Sequence, residues 1–232
     1  MNSKNLKRIG LGLSLLVGII LSACNNKQDI VKTVEKTITQ DISDEVIDSE
    51  DKVILFFGNS LTAGYRLAEE ESFPSQIQAK IDSLDLAYTV INGGLSGETT
   101  AGGLNRIDWI LKQDIDVFVL ELGPNDMLRG LDLKATEENL KGIINKVKDK
   151  FPDIKLVIAG MLAPPNMGEQ YAKQFASIYP RLAEDTGARL IPFLLDGVAG
   201  EKDLNLEDQM HPNALGYKIV ADNVWKVLEG VL

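Results

Sequence analysis

The chain has 232 residues, enough for one domain of ordinary size with a substantial core. Its formal charge is −10, and no Lys/Arg cluster lies beyond the extreme N-terminus, which argues against nucleic acid as a partner. One Cys and one His rule out a disulfide framework and leave no thiolate–imidazole zinc site to assemble; no Asp/Glu run has calcium-loop spacing, so neither metal nor cofactor is expected.

The N-terminus reads as a targeting segment. Lys4, Lys7 and Arg8 form a basic start, and Ile9 to Leu21 is an apolar run too short to cross a bilayer comfortably. Leu21-Ser22-Ala23-Cys24 follows, with small residues at a cleavage point. That tetrapeptide resembles the lipobox of bacterial lipoproteins. The resemblance implies cleavage before Cys24, lipidation of Cys24 and attachment of a globular domain to a membrane of the bacterial cell envelope. Residues 1–23 are then a signal peptide. Residues 24–51, polar and without Pro or Gly, are a tether, and residues 52–232 are the domain.

From Lys52 onward, strand and helix patterns alternate. Lys52 to Phe57 is the first strand, and its continuous apolar run from Val53 to Phe57 is that of a strand buried on both faces. It ends in Gly58-Asn59-Ser60, followed by a helix or turn to Glu70. Phe73-Pro74 opens a helix through Leu84, with Pro74 suited to the first turn. Ala87 to Asn92 is a second strand, and Thr99 to Lys112 a helix with Leu104, Ile107, Trp109, Ile110 and Leu111 as its apolar positions. Asp116 to Leu122 is a third strand and Leu133 to Phe151 a long helix. Ile154 to Met161 is a fourth strand, followed by a helix from Gly168 to Thr186 that Pro180 is expected to interrupt. Arg189 to Leu194 is the fifth strand, and Pro212 to Leu232 the last helix.

Strands separated by helices predict a parallel sheet covered on both faces, joined by right-handed crossovers. The expected fold is α/β, a three-layer doubly wound five-stranded sheet of flavodoxin-like type with strand order 2-1-3-4-5. In such sheets ligands bind beyond the carboxyl ends of the strands. Three loops after strands converge there: Gly58-Asn59-Ser60, Ser96-Gly97-Glu98-Thr99 and Gly123-Pro124-Asn125-Asp126. Asp208-Gln209-Met210-His211-Pro212, ahead of the last helix, can close over the same edge.

Taken singly, each of these is ordinary turn or capping chemistry. Together they supply the parts of a nucleophilic site. A serine hydroxyl needs a base, and His211 is the one imidazole available. The base needs an orienting carboxylate, and Asp208 lies a single turn before it. Acyl transfer needs donors for a developing oxyanion; the backbone N–H groups of Ser60 and Gly97 and the side-chain amide of Asn125 are candidates.

The four blocks, in this order, resemble those of the SGNH (GDSL) hydrolases, from about Val53 to the C-terminus. Phe56 to Tyr65, Glu121 to Asp126 and Met210 to Asn213 are most similar to the bacterial thioesterase, lysophospholipase and arylesterase branch. The resemblance implies Ser60 as nucleophile, His211 as base, Asp208 as its partner, and Ser60, Gly97 and Asn125 as the oxyanion hole. The chain departs from the family at Asn59, where Asp is usual.

The expected reaction is hydrolysis of carboxylic esters or thioesters through an acyl-enzyme, with activity falling as pH drops through about 6.5, the ordinary histidine value. Met127, Leu128, Leu162 and Met210 are candidate acyl-pocket residues for short or medium acyl groups, lysophospholipids or acyl thioesters. A carbohydrate O-acetyl esterase is the alternative; it would call for aromatic sugar platforms, and aromatic content is only 6%. A binding lipoprotein without turnover is a further alternative, against which stand Ser60, Asp208 and His211.

Overall fold

The computed structural model describes residues 51–232. The expected signal peptide, Cys24 and the expected tether up to residue 50 lie outside the described residues. Five parallel strands form the sheet: β1 Lys52–Gly58, β2 Tyr88–Gly94, β3 Val117–Glu121, β4 Lys155–Ala159 and β5 Arg189–Ile191, in the order β2-β1-β3-β4-β5. This is the expected α/β architecture with the expected strand order. Ile54, Leu55, Phe56 and Phe57 in β1 and Val117 to Leu120 in β3 are buried, as central strands covered on both faces require.

Seven helices accompany the sheet among the described residues: α1 Ser60–Ala63, α2 Phe73–Ser83, α3 Thr100–Ile110, α4 Pro124–Leu128, α5 Leu133–Lys150, α6 Glu169–Thr186 and α7 Ala214–Leu228. α2 packs with α7, while α3 packs with α5 and α5 with α6. Polar side chains start most of them: Ser72, Thr99, Asp132 and Asn213 each accept a backbone N–H of the first turn, satisfying donors that have no partner inside the helix. The apolar stripe of α5, Leu140, Ile143, Ile144 and Val147, is fully buried.

Three expectations need correction. α6 runs without a break through Pro180, which lies on the exposed face, where water can take the carbonyl that the missing N–H leaves free. Trp109 is 66% exposed; Ile107 and Leu111 carry the buried stripe of that segment, and Trp109 falls on the far side of the helical turn. Pro124–Leu128, read as a loop, is the short helix α4.

The register sets the site. Gly58 pairs with Gly94 on one side and Glu121 on the other, so β1, β2 and β3 end level. Leu95 N–H bonds to the Gly58 carbonyl at 2.9 Å, drawing the β2 loop against the β1 turn.

Candidate active site

At the end of β1 the helix cap and the candidate nucleophile fall on adjacent residues. Asn59 is the N-cap of α1, its side-chain oxygen accepting the Leu61 N–H at 2.9 Å. Ser60, the first residue of α1, is left with a hydroxyl free to face the site. Its Oγ lies 2.8 Å from His211 Nε2.

His211 arrives on a tight loop. Leu206 N–H bonds to the His211 carbonyl, Asn205 bridges to Pro212, and Gln209 takes a left-handed φ of 56°. Gly216 lets this loop sit against α7, since a Cβ there would stand 2.2 Å from the Leu204 carbonyl oxygen. Asp208 Oδ1 accepts the N–H groups of Met210 and His211 at 2.9 and 3.0 Å; its Oδ2 lies 2.7 Å from His211 Nδ1. Partial burial would raise the Asp208 carboxyl, but these hydrogen bonds from the His211 and Met210 N–H groups and the ring outweigh it and bring the pKa down to about 2. An ionised Asp208 can only accept, so it holds the ring proton on Nδ1 and leaves Nε2 as an acceptor facing Ser60 Oγ.

The two donor loops are tied to each other. Gly97 has φ of 81°, a left-handed conformation that suits glycine. Asn125, in the first turn of α4, donates one side-chain N–H to the Glu98 carbonyl at 3.0 Å, leaving its second amide N–H available. Asp126, next in the chain and 1% exposed, accepts the Thr100 N–H at 2.8 Å and the Thr100 hydroxyl at 2.6 Å. Glu98 is held by Arg106, whose Nε lies 2.9 Å from its carboxylate and whose guanidinium covers the Phe57 ring. The loop bearing Gly97 is thus pinned from both ends.

Two residues of the site escaped the sequence reading. Glu121, the last residue of β3, is 1% exposed and lies directly beneath the Asn59–Ser60 turn. Its carboxyl accepts from Asn59 Nδ2 at 2.7 Å, Asn59 N–H at 3.1 Å and the Thr62 hydroxyl at 2.9 Å. Burial raises its pKa to about 7 despite these bonds. Gly58 makes room for it: a Cβ there would fall 2.6 Å from Glu121 Oε2. An acidic residue ending an otherwise apolar strand was the available signal. The other is Tyr65, whose ring lies 4.6 Å from that of His211, tilted by 42°, and restricts the imidazole from one side.

The four candidate acyl-pocket residues divide. Leu128, at the end of α4, and Leu162 and Met210, on loops, are about half exposed, whereas Met127 is 5% exposed and packs into the core beneath. A recess of about 470 Å³ lies elsewhere, between α2 and β2, lined by Glu69, Pro74, Gln78, Asp82 and Val90 among others; no catalytic candidate lines it. Among the described residues, no group of three or more His, Cys, Asp or Glu side chains could hold a metal ion.

Residues 56–219 match the GDSL-like Lipase/Acylhydrolase family. The chain belongs to this family. It is 37% identical over 172 residues to an arylesterase of Vibrio mimicus, covering 74% of this chain and 85% of that protein. It is 34% identical over 177 residues to thioesterase 1/protease 1/lysophospholipase L1 of Escherichia coli, covering 76% of this chain and 83% of that one. Among solved structures, esterase EstA from Pseudoalteromonas sp., inhibited by monoethylphosphonate, is similar with a TM-score of 0.73 and 33% identity, over 78% of this chain and 98% of EstA. With these likenesses, the chain is an SGNH-type carboxylic ester hydrolase.

Proposed function

We propose that the protein hydrolyses short or medium acyl esters, lysophospholipids or acyl thioesters through a Ser60–His211–Asp208 triad. The observation that carries this reading is the unbroken line from Ser60 Oγ through both ring nitrogens of His211 to Asp208, with contacts of 2.8 and 2.7 Å. His211 takes the Ser60 proton as the hydroxyl attacks the acyl carbon. The negative charge on the carbonyl oxygen is met by the Ser60 and Gly97 N–H groups and the second amide N–H of Asn125. The imidazolium returns its proton to the departing alcohol or thiol. Water, deprotonated by the same imidazole, then cleaves the acyl–Ser60 ester. The acyl chain rests on Leu128, Leu162 and Met210. Similarity to an arylesterase and to a thioesterase/lysophospholipase supports this range of leaving groups. No metal or cofactor takes part in this scheme.

A panel of phenyl esters, acyl-CoAs, lysophospholipids and acetylated sugars tests the substrate class, with Ser60→Ala as control. Cleavage of the first three, abolished by Ser60→Ala, is expected; selective cleavage of the sugars would contradict it. Attachment to the cell envelope through lipidated Cys24 belongs to the same proposal. Labelled palmitate should enter the wild-type protein but not Cys24→Ser, and equal labelling of the two would sink the anchor.

A further inference from the structure

Two exposed arginines reach the groups of this site. Arg129, directly after α4, donates from Nη2 to the Gly97 carbonyl at 2.8 Å, and a Cβ placed on Gly97 would lie 3.7 Å from that nitrogen. Its guanidinium therefore stands beside the residue whose N–H is the proposed oxyanion donor. Arg66 reaches the site from the other catalytic partner. Its guanidinium carbon lies 5.2 Å from the Tyr65 ring centre, and Tyr65 in turn lies against His211. Arg66 holds this position with φ of 62°, a left-handed backbone that a long L side chain rarely adopts.

Neither guanidinium has a carboxylate within ion-pair distance among the described residues, whereas Arg106 is held by Glu98 and Arg181 by Glu137. In a chain of net charge −10, carboxylates to pair with are plentiful, yet Arg129 beside Gly97 and Arg66 beside Tyr65 stand without one. Arg129 spends one donor on a carbonyl and keeps the rest of its planar fork, a geometry that fits the oxygens of a carboxylate or phosphate. Leu95 and Leu128, both about half exposed, flank Gly97 and Arg129 in the chain, so apolar and cationic surface lie side by side.

We infer that the preferred esters of this site carry an anionic oxygen group, a phosphate or a carboxylate, which Arg129 receives with help from Arg66 while the apolar part lies on the neighbouring leucines. Both residues determine specificity and neither touches the reacting atoms. The inference rests on the esterase reading above. It also separates this site from one built for acetylated neutral sugars, which would have no use for the cations.

The test compares kcat/KM for phenyl butyrate, 4-butyryloxybenzoate, 4-butyryloxyphenyl phosphate and butyrylcholine in the wild-type protein, Arg129→Gln, Arg129→Lys and the double variant Arg66→Gln/Arg129→Gln. The readout is the ratio of each charged ester to phenyl butyrate within one variant, which cancels general damage to the loop. Exposed charge pairs of this kind are worth a few-fold each. The anionic ratio should fall about threefold in Arg129→Gln and about tenfold in the double variant, mainly through KM. Arg129→Lys should keep most of it, and raising NaCl from about 20 to about 500 mM should erode it in the wild-type protein. The larger of the two anionic ratios identifies phosphate or carboxylate as the preferred group. An unchanged ratio in the double variant, or a preference for butyrylcholine, overturns the inference. If the wild-type protein cleaves none of these esters, the esterase reading fails on its own. The arginines are then read by thermal stabilisation with phenyl phosphate and 4-hydroxybenzoate: stabilisation lost in the double variant supports them, and none in the wild-type protein overturns them.

Discussion

Asn59 donates its side-chain N–H to the buried carboxyl of Glu121 at 2.7 Å, directly beneath Ser60. The family usually has Asp at this position, which would set two carboxyls in contact. With Asn59, the groups hydrogen-bonded to Glu121 are all donors: Asn59 N–H, Asn59 Nδ2 and the Thr62 hydroxyl. The substitution leaves one titrating carboxyl under Ser60, not a coupled pair.

Asn59→Asp should therefore make stability depend more steeply on pH. Two touching carboxyls cannot both ionise readily, so the pair must hold a proton in the folded state. Glu121 already has its pKa raised to about 7, above the unfolded carboxylate range. A raised carboxyl contributes stability that is present below the unfolded pKa and lost as pH rises through the folded one. The gap between wild-type and variant unfolding free energies should widen from pH 5 to pH 9, reaching about 1–3 kcal/mol. Urea unfolding at pH 5, 7 and 9 measures it, and a gap independent of pH would contradict the account of this pair.

Glu121→Ala removes the acceptor and leaves three buried donors unsatisfied. A loss of about 3–5 kcal/mol is expected, by analogy with breaking a buried charged network. Kcat should fall with it because the Ser60 turn loses its floor. Chemical denaturation gives the first quantity, and a loss below about 1 kcal/mol would show that water replaces the carboxyl.

Asp126 ties the β2 loop to α4 through Thr100, and so sets Gly97 against Asn125. Asp126→Ala should lower kcat more than it raises KM, since the misplaced groups are needed most for the charge of the transition state. The expected drop is about tenfold to a hundredfold, read by steady-state kinetics on a phenyl ester. A change confined to KM would place Asp126 outside the support of the oxyanion hole.

Tyr65 restricts the His211 ring through a tilted ring–ring contact, worth about 0.5–1.5 kcal/mol for aromatic pairs. Tyr65→Phe should retain kcat/KM, whereas Tyr65→Ala should lose about threefold to tenfold. Equal losses in the two variants would assign the role to the hydroxyl and not the ring.

Much of this arrangement is legible in the sequence because each part is local. Apolar runs such as Val53 to Phe57 mark buried strands, and the turn residues after them mark the loops that meet at one edge. His211 and Asp208 lie within one turn of each other, so their contact needs no knowledge of the fold. What escaped depends on distant pairing. Glu121 reads alone as the polar end of a strand, and its partner Asn59 is 62 residues away. Tyr65 and His211 meet only because α7 returns the chain to α1, where the buried Tyr217 hydroxyl bonds to the Leu61 carbonyl. Trp109 was misplaced for a different reason. Hydrophobicity marks which residues prefer burial, but the phase of α3 decides which of them obtain it.

The central claim is that Ser60 is a nucleophile activated by His211. A fluorophosphonate probe followed by peptide mass analysis tests it directly, measuring which residue is labelled and with what stoichiometry. One label per chain on the Ser60 peptide is predicted, absent from Ser60→Ala and strongly slowed in His211→Ala. Labelling at another residue, or wild-type hydrolysis by Ser60→Ala, would contradict it.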